Sequence, residues 1–337
     1  MTTNPTPTRA TGIGSWPGTS AREAVRSVRD LLVDADGLGL PYLPETPARG
    51  PGADMIGRAA GLLVDLPVDL QPSGWRLVGR PGRDAARTAA FRREDLDELA
   101  EAYEAYAGPL KVQVCGPWTL AATLELTRGE RVVSDPGAVA DLVASLAEGV
   151  ADHVGDVRRL VPGAEVVLQL DEPSLPAVLE GSLPTASGYG RVRAVDRQVV
   201  AAGLRDVLAA HDGPTVVHSC HPRAPLPLLR SVGAGALALD LVDASATRWE
   251  SVAATLESGV GVVAGVLATD GGTDDARAHD LLRRALERTG LVAEEASGLD
   301  VSPACGLAGL APEAARTVTR GSLDLARRLA DAATTRG

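Results

Sequence analysis

Ala164-Glu165-Val166-Val167-Leu168-Gln169-Leu170-Asp171-Glu172-Pro173 is the stretch whose reading decides the fold. Residues 164–170 make a largely apolar run of strand length, and the run ends at two carboxylates and a proline. A strand that is apolar nearly throughout, rather than at alternate positions, is one covered on both faces, as in a parallel sheet. The polar groups gathered at its end lie where a parallel α/β fold keeps its chemistry.

The same unit recurs in both directions. Apolar runs at 10–16, 39–43, 111–114, 214–217, 236–239, 260–267 and 299–302 alternate with helical stretches at 22–33, 55–64, 94–106, 193–210, 249–257, 274–289 and 312–333. Ser134-Asp135-Pro136 starts a further helix, with a capping side chain and then proline in the first turn. Val139, Leu142, Leu146, Val150, Val154 and Val157 follow it at three- and four-residue steps. About eight β-α units result, which predicts an α/β fold of the single (β/α)8 TIM-barrel kind. Residues 71–93, with Trp75, Gly79 and Pro81, read as an inserted excursion. No linker divides the chain, so residues 10–337 are expected to form one domain behind a flexible Thr/Pro-rich tail at 1–9.

Bulk properties narrow the function. The 337 residues carry a formal net charge of −11, which argues against nucleic acid or an anionic membrane as a partner. No apolar run is long enough to span a bilayer. Three widely spaced cysteines do not make a disulfide framework, and a reducing cytoplasm is the expected compartment. Basic charge is carried by arginine, with Lys111 the single lysine, and Phe91 is the single phenylalanine.

The residues at the predicted strand ends are Gly14-Ser15-Trp16-Pro17, Glu45, Asp171, Glu172, His218, Cys220, Asp240 and Cys305. His218 and Cys220 stand two apart at the end of an apolar run, so both side chains can share one face. Cys305 follows another such run. One imidazole and two thiols form a donor set for zinc, and three protein ligands leave a fourth position open, as catalytic zinc requires. Each residue also has a plainer reading: Ser15 as a turn residue, Glu45 as a solvated carboxylate, Asp171 as a helix cap, the cysteines as core. Their joint placement on one rim favours a site.

These residues resemble a known family. Ile13-Gly14-Ser15-Trp16-Pro17, Asp171-Glu172-Pro173-Ser174-Leu175, His218-Ser219-Cys220 and Cys305-Gly306-Leu307 are similar to the I-G-S-F-P, D-E-P-A-L, H-x-C and D-C-G-L motifs of the C-terminal catalytic barrel of cobalamin-independent methionine synthase. They fall in the same order over nearly the whole chain, as in the single-barrel "core" form. The resemblance implies a zinc-dependent methyltransferase that makes methionine from homocysteine. It implies Zn2+ held by His218, Cys220 and Cys305, with Asp240 where the family has a longer glutamate and His221 as the other candidate for that place. It also implies homocysteine held by the backbone of Ile13, Gly14 and Ser15 and by the carboxylates of Glu45 and Asp171. Two carboxylates neutralise an ammonium group, and zinc turns a thiol into the nucleophilic thiolate.

Three features depart from that family. The chain has one barrel where the complete synthase has two. Gly116-Pro117-Trp118-Thr119 is not followed by the tryptophan that lies along the pterin; Thr123 stands near its place, with Trp118 as a substitute. Leu267-Ala268-Thr269-Asp270-Gly271 lacks the proton-donor histidine, with Asp270 as a substitute acid. Methyl-tetrahydrofolate has an amine leaving group that must be protonated, whereas a methyl-corrinoid leaves as reduced cobalt. The expected donor is therefore a methyl-corrinoid protein rather than methyl-tetrahydrofolate. Two other readings stand beside this one. The first is a methyltransferase for another small thiol such as coenzyme M, which lacks the ammonium that Glu45 and Asp171 suit. The second is a non-catalytic zinc- or ligand-binding barrel.

Overall fold

The computed structural model describes residues 8–33, 35–270, 274–292 and 298–336, the side chains of 333–336 excepted. Residues 1–7 of the expected tail therefore lie outside the described residues. Arg9 does not: its guanidinium pairs with Asp300 at 2.8 Å and its backbone N–H donates to the same carboxylate.

Helices α1 (Ala21–Leu32) and α2 (Met55–Ala60) come first, followed by an antiparallel hairpin of β1 (Val68–Gln71) and β2 (Gly74–Leu77) and by α3 (Arg83–Ala102). The parallel sheet then begins with β3 (Gly108–Cys115) and continues through α4 (Pro117–Thr123) and α5 (Pro136–Leu160) into β4 (Ala164–Asp171). Helices α6 (Leu175–Glu180) and α7 (Arg197–Leu208) lead to β5 (Thr215–Ser219), and α8 (Leu226–Arg230) leads to β6 (Ala236–Asp240). Helix α9 (Ala246–Glu257), β7 (Gly261–Leu267), α10 (Asp275–Glu287), β8 (Leu299–Pro303) and α11 (Pro312–Arg336) complete the order. Among the described residues the main sheet has six strands, β3 to β8, paired in sequence order. Consecutive parallel pairing needs a crossover behind each strand, which the helices supply. No helix among the described residues is long and apolar enough to cross a membrane.

The sheet buries both faces, as its apolar runs require. Outside, Leu110, Val112, Leu168 and Leu170 pack in the core that includes Leu142, Leu146, Val150 and Val157 of α5. Inside, Ile13, Leu40, Val167, Val216, Ala238 and Val263 form a second cluster, so the sheet curls around its own inner face.

Two expectations are corrected. The runs at 10–16 and 39–43 are not ladder strands. They join the sheet's two edges through isolated parallel bridges: Ala10 with Val301 of β8, Ala10 with Gly39, Ser15 with Glu45, and Tyr42 with Lys111 of β3. Pro41 and Pro44 lack the N–H that a ladder needs. Gly12 lies so close to the Tyr42 ring that a Cβ there would stand 2.5 Å from it. The excursion at 71–93 is also more regular than expected. It holds β2 and the first half of α3, which starts at Arg83 rather than near residue 94. That half is Arg-Asp-Ala-Ala-Arg-Thr-Ala-Ala, helical by propensity but without a bulky apolar stripe to reveal a period. The start of α5 is as predicted, with Asp135 accepting from the N–H groups of Gly137 and Ala138 at 2.8 and 3.0 Å.

Candidate active site

Sheet register brings the site together. Asp171 at the end of β4 lies beside His218 on β5. Both are buried, and His218 Nδ1 meets Asp171 Oδ1 at 2.8 Å. An ionised carboxylate only accepts, so Nδ1 carries a proton, and in the neutral ring Nε2 then presents its lone pair. That Nε2 is buried and has no hydrogen-bond partner. Cys220 follows β5 and Cys305 follows β8, both half-buried and free, and close enough for each to shift the other's ionisation. Cys220 holds the Cys305 thiol down to about 6, and Cys305, with burial, pushes the Cys220 thiol up.

Asp240, at the end of β6, accepts from Val242 N–H at 3.1 Å, and burial raises its pKa. It shares a cleft of about 450 Å³ with Cys220, Ala304, Thr269 and Arg248. His221 uses its Nδ1 to accept from the Arg223 N–H at 3.0 Å. Among the described residues no three His, Cys, Asp or Glu side chains are arranged to hold a metal ion as they stand. The donor chemistry nonetheless fits a thiophilic divalent ion: a buried imidazole nitrogen with no hydrogen-bond partner, and two free thiols near it.

The other half of the site is built on backbone. Glu45 N–H donates to Gly14 O at 3.1 Å and Trp16 N–H to Glu45 O at 2.7 Å, which fixes residues 13–15 beside Glu45. Leu307 N–H donates to Ser15 O at 2.9 Å and ties the Cys305 loop to the same segment. Glu45 is not a solvated carboxylate. It is 5% exposed, with Arg58 Nε at 3.4 Å. Burial pushes its pKa up to about 7, opposed by Arg58 and reinforced by Asp171. Arg58 and Arg49 share Asp95, which anchors this flank.

Some residues at the rim serve the fold. Glu172 turns away and accepts from Trp118 N–H, Thr119 N–H and the Thr119 hydroxyl at 2.8–2.9 Å, so it caps α4. Trp118 is fully buried and donates its indole N–H to Val200 O at 2.9 Å, and Thr123 bonds back to Thr119 O. Neither offers a flat face to a ligand, which corrects the expectation that Trp118 substitutes for a pterin platform. Cys115 is buried, with its thiol pushed well up by burial. Sequence reasoning missed Lys111 and Gln169, which lie beneath the site. Lys111 Nζ donates to Ile13 O at 2.9 Å and Gln169 Oε1 at 2.8 Å, and Gln169 Nε2 donates to Asp171 Oδ1 at 2.7 Å. The signal was a single lysine inside an apolar strand.

A curled parallel sheet with thiols, an imidazole and carboxylates collected at the strands' carboxyl ends is the arrangement of an α/β enzyme. Residues 6–330 match the family described as "Cobalamin-independent synthase, Catalytic domain", and the chain belongs to that family of methionine synthase-like methyltransferases. The structure is similar to that of a B12-independent methionine synthase from Shewanella sp. W3-18-1 in complex with selenomethionine, with a TM-score of 0.63 at 14% identity, covering 98% of this chain and 100% of that one. At that identity the likeness is one of fold. No curated protein matches the chain. The resemblance carried by the four motifs is thus borne out.

Proposed function

We propose that this chain transfers a methyl group to the thiol of homocysteine, forming methionine, with Zn2+ held by His218, Cys220 and Cys305 and by Asp240 as the fourth protein donor. The observation that carries this reading is the buried, unpartnered Nε2 of His218 in a site that also holds a thiol pair. The similar Shewanella protein, in complex with selenomethionine, supports an amino-acid product. When bound, zinc supplies a Lewis acid that keeps the substrate sulfur ionised at neutral pH.

The chain's own groups do the rest. Asp171 holds His218 with the proton on Nδ1, so Nε2 stays a donor atom. Asp171 and Glu45 receive the substrate ammonium, and its arrival drives Glu45 from the protonated to the ionised form. The backbone of Ile13, Gly14 and Ser15 sets the depth of the amino-acid end. The substrate sulfur attacks the donor's methyl carbon. The S–C bond forms as the bond from that carbon to the donor breaks, and the electron pair leaves with the donor.

The donor is a methyl-corrinoid, preferably on its own protein. Leu267 to Asp270 contain no histidine to protonate a departing amine, and Trp118 and Thr123 are turned into the fold. We also read residues 10–16 and 39–43 as the two staves that complete an eightfold ring, with residues 10–337 as one domain. Three free thiols suit a reducing cytoplasm.

Zinc-loaded protein given homocysteine and methylcobalamin should form methionine, and faster than with methyl-tetrahydrofolate at the same concentration. General-acid help is worth about 10²–10⁴ in rate to the folate reaction, and residues 267–270 offer no histidine for it. Faster turnover with the folate would reverse the donor assignment and point to Asp270. Methylation of coenzyme M in preference to homocysteine would overturn the acceptor.

A further inference from the structure

Lys111 is the only lysine in the chain, and its side chain is 1% exposed inside the barrel. Its ammonium donates to Ile13 O at 2.9 Å and to Gln169 Oε1 at 2.8 Å, and lies 5.1 Å from the centre of the Tyr42 ring. An ammonium can only donate, so Gln169 must turn its oxygen toward Lys111. Its amide nitrogen then faces two groups that only accept, Ile13 O at 2.8 Å and Asp171 Oδ1 at 2.7 Å. The same Oδ1 faces His218 Nδ1 at 2.8 Å. Every link in this chain has one allowed direction. Reversing any of them would set two buried acceptors or two buried donors against each other, which a low-dielectric interior penalises heavily.

We propose that Lys111 is a positioning residue: acting through Gln169, it fixes Asp171 as an acceptor and so holds His218 in the Nδ1–H tautomer, with Nε2 bare toward the site. The proposal rests on the site reading given above. Lys111 spends its ammonium on protein groups, yet it reaches both halves of the site, because Ile13 O belongs to the segment read as holding the amino-acid end. Its burial is otherwise costly and brings its pKa down to about 8 against the pull of Asp171 and Glu45. Arginine carries basic charge everywhere else, but its planar fork is larger and cannot place one compact cation between a carbonyl and an amide.

The test uses metal-free full-length protein. Ring-nitrogen NMR reports the tautomer of His218, assigned by the signal lost in His218→Gln. Wild type should show one tautomer, protonated on Nδ1. Lys111→Met, which keeps the aliphatic stem, should fold, show mixed His218 tautomers, and bind homocysteine about tenfold or more weakly. A purely structural role for Lys111 would lower stability and leave the ring signals alone. A folded Lys111→Met with the wild-type tautomer and affinity overturns the proposal. If that variant does not fold, the lone lysine supplies a second measurement. Lysine labelled at Cε gives a single signal, and that signal must move in Asp171→Asn; an unmoved signal also overturns the proposal. The ring-nitrogen result needs no substrate. Wild type that fails to bind homocysteine, while Lys111→Met still mixes the His218 tautomers, therefore contradicts the proposed acceptor and supports the positioning role.

Discussion

Glu45 is a carboxyl that folding makes harder to ionise. Burial lifts its pKa from 4.5 to about 7, so between those values the folded chain holds a proton that the unfolded chain has released. Stability therefore falls as pH rises through that window and stays lower above it. Glu45→Gln removes this penalty. Its stability relative to wild type should improve between pH 5 and pH 8, by up to about 3 kcal/mol, in urea unfolding at the two values. Homocysteine affinity should fall at the same time. No pH dependence of the difference would show that Glu45 is ionised throughout. The sulfurs make a second prediction: Cys220→Ser and Cys305→Ser should each lose zinc on metal analysis, while Cys115→Ser retains it, because Cys115 is sealed against Gly116. Equal zinc in all three would remove the ligand assignment. The thiols, the imidazole and Asp171 were legible because their types and spacing are rare together. Lys111 and Gln169 were not, because Lys111's partners lie 98 and 58 residues away and no local pattern names them.

At the scale of elements, the loops at the strand ends hold the site by close backbone approach. A Cβ at Gly306 would stand 2.1 Å from Ser15 Oγ and 3.2 Å from Ser15 Cβ, so Gly306→Ala must turn the Ser15 hydroxyl away from Ala308 N–H and crowd the Cys305 loop against residues 13–15. It should cost about 1–3 kcal/mol and weaken homocysteine more than its effect on melting temperature suggests. Gly155 on α5 is the control. It is exposed and a Cβ there meets nothing, so Gly155→Ala should stabilise by about 0.5–1 kcal/mol and leave binding unchanged. Calorimetry on both variants checks the pair. Helices with a clear apolar stripe and a cap, α5 above all, were readable from sequence. The early start of α3 was hidden because alanine supplies helix propensity without periodicity. The segments at 10–16 and 39–43 read as strands because they are apolar. Pro41 in the second and the tight packing of Gly12 in the first against Tyr42 reduce them to isolated bridges.

At the scale of the whole molecule, the alternation of apolar runs and helices conveyed the parallel α/β architecture. It did not convey how the two edges of the six-stranded sheet are joined, since that depends on contacts between the chain's two ends, such as Val301 N–H to Arg9 O at 2.8 Å. The same joining puts Cys305, from the last strand, against the first segment and within reach of Cys220. The central claim is that these separated donors collect one zinc ion and present it to a substrate thiol. Zinc-edge X-ray absorption on zinc-loaded protein, without and with homocysteine, tests this most directly. The account predicts one zinc per chain with mixed nitrogen, oxygen and sulfur ligands, and one further sulfur ligand when homocysteine is added. A chain that retains no zinc, or a zinc whose sulfur count does not change with homocysteine, would contradict it.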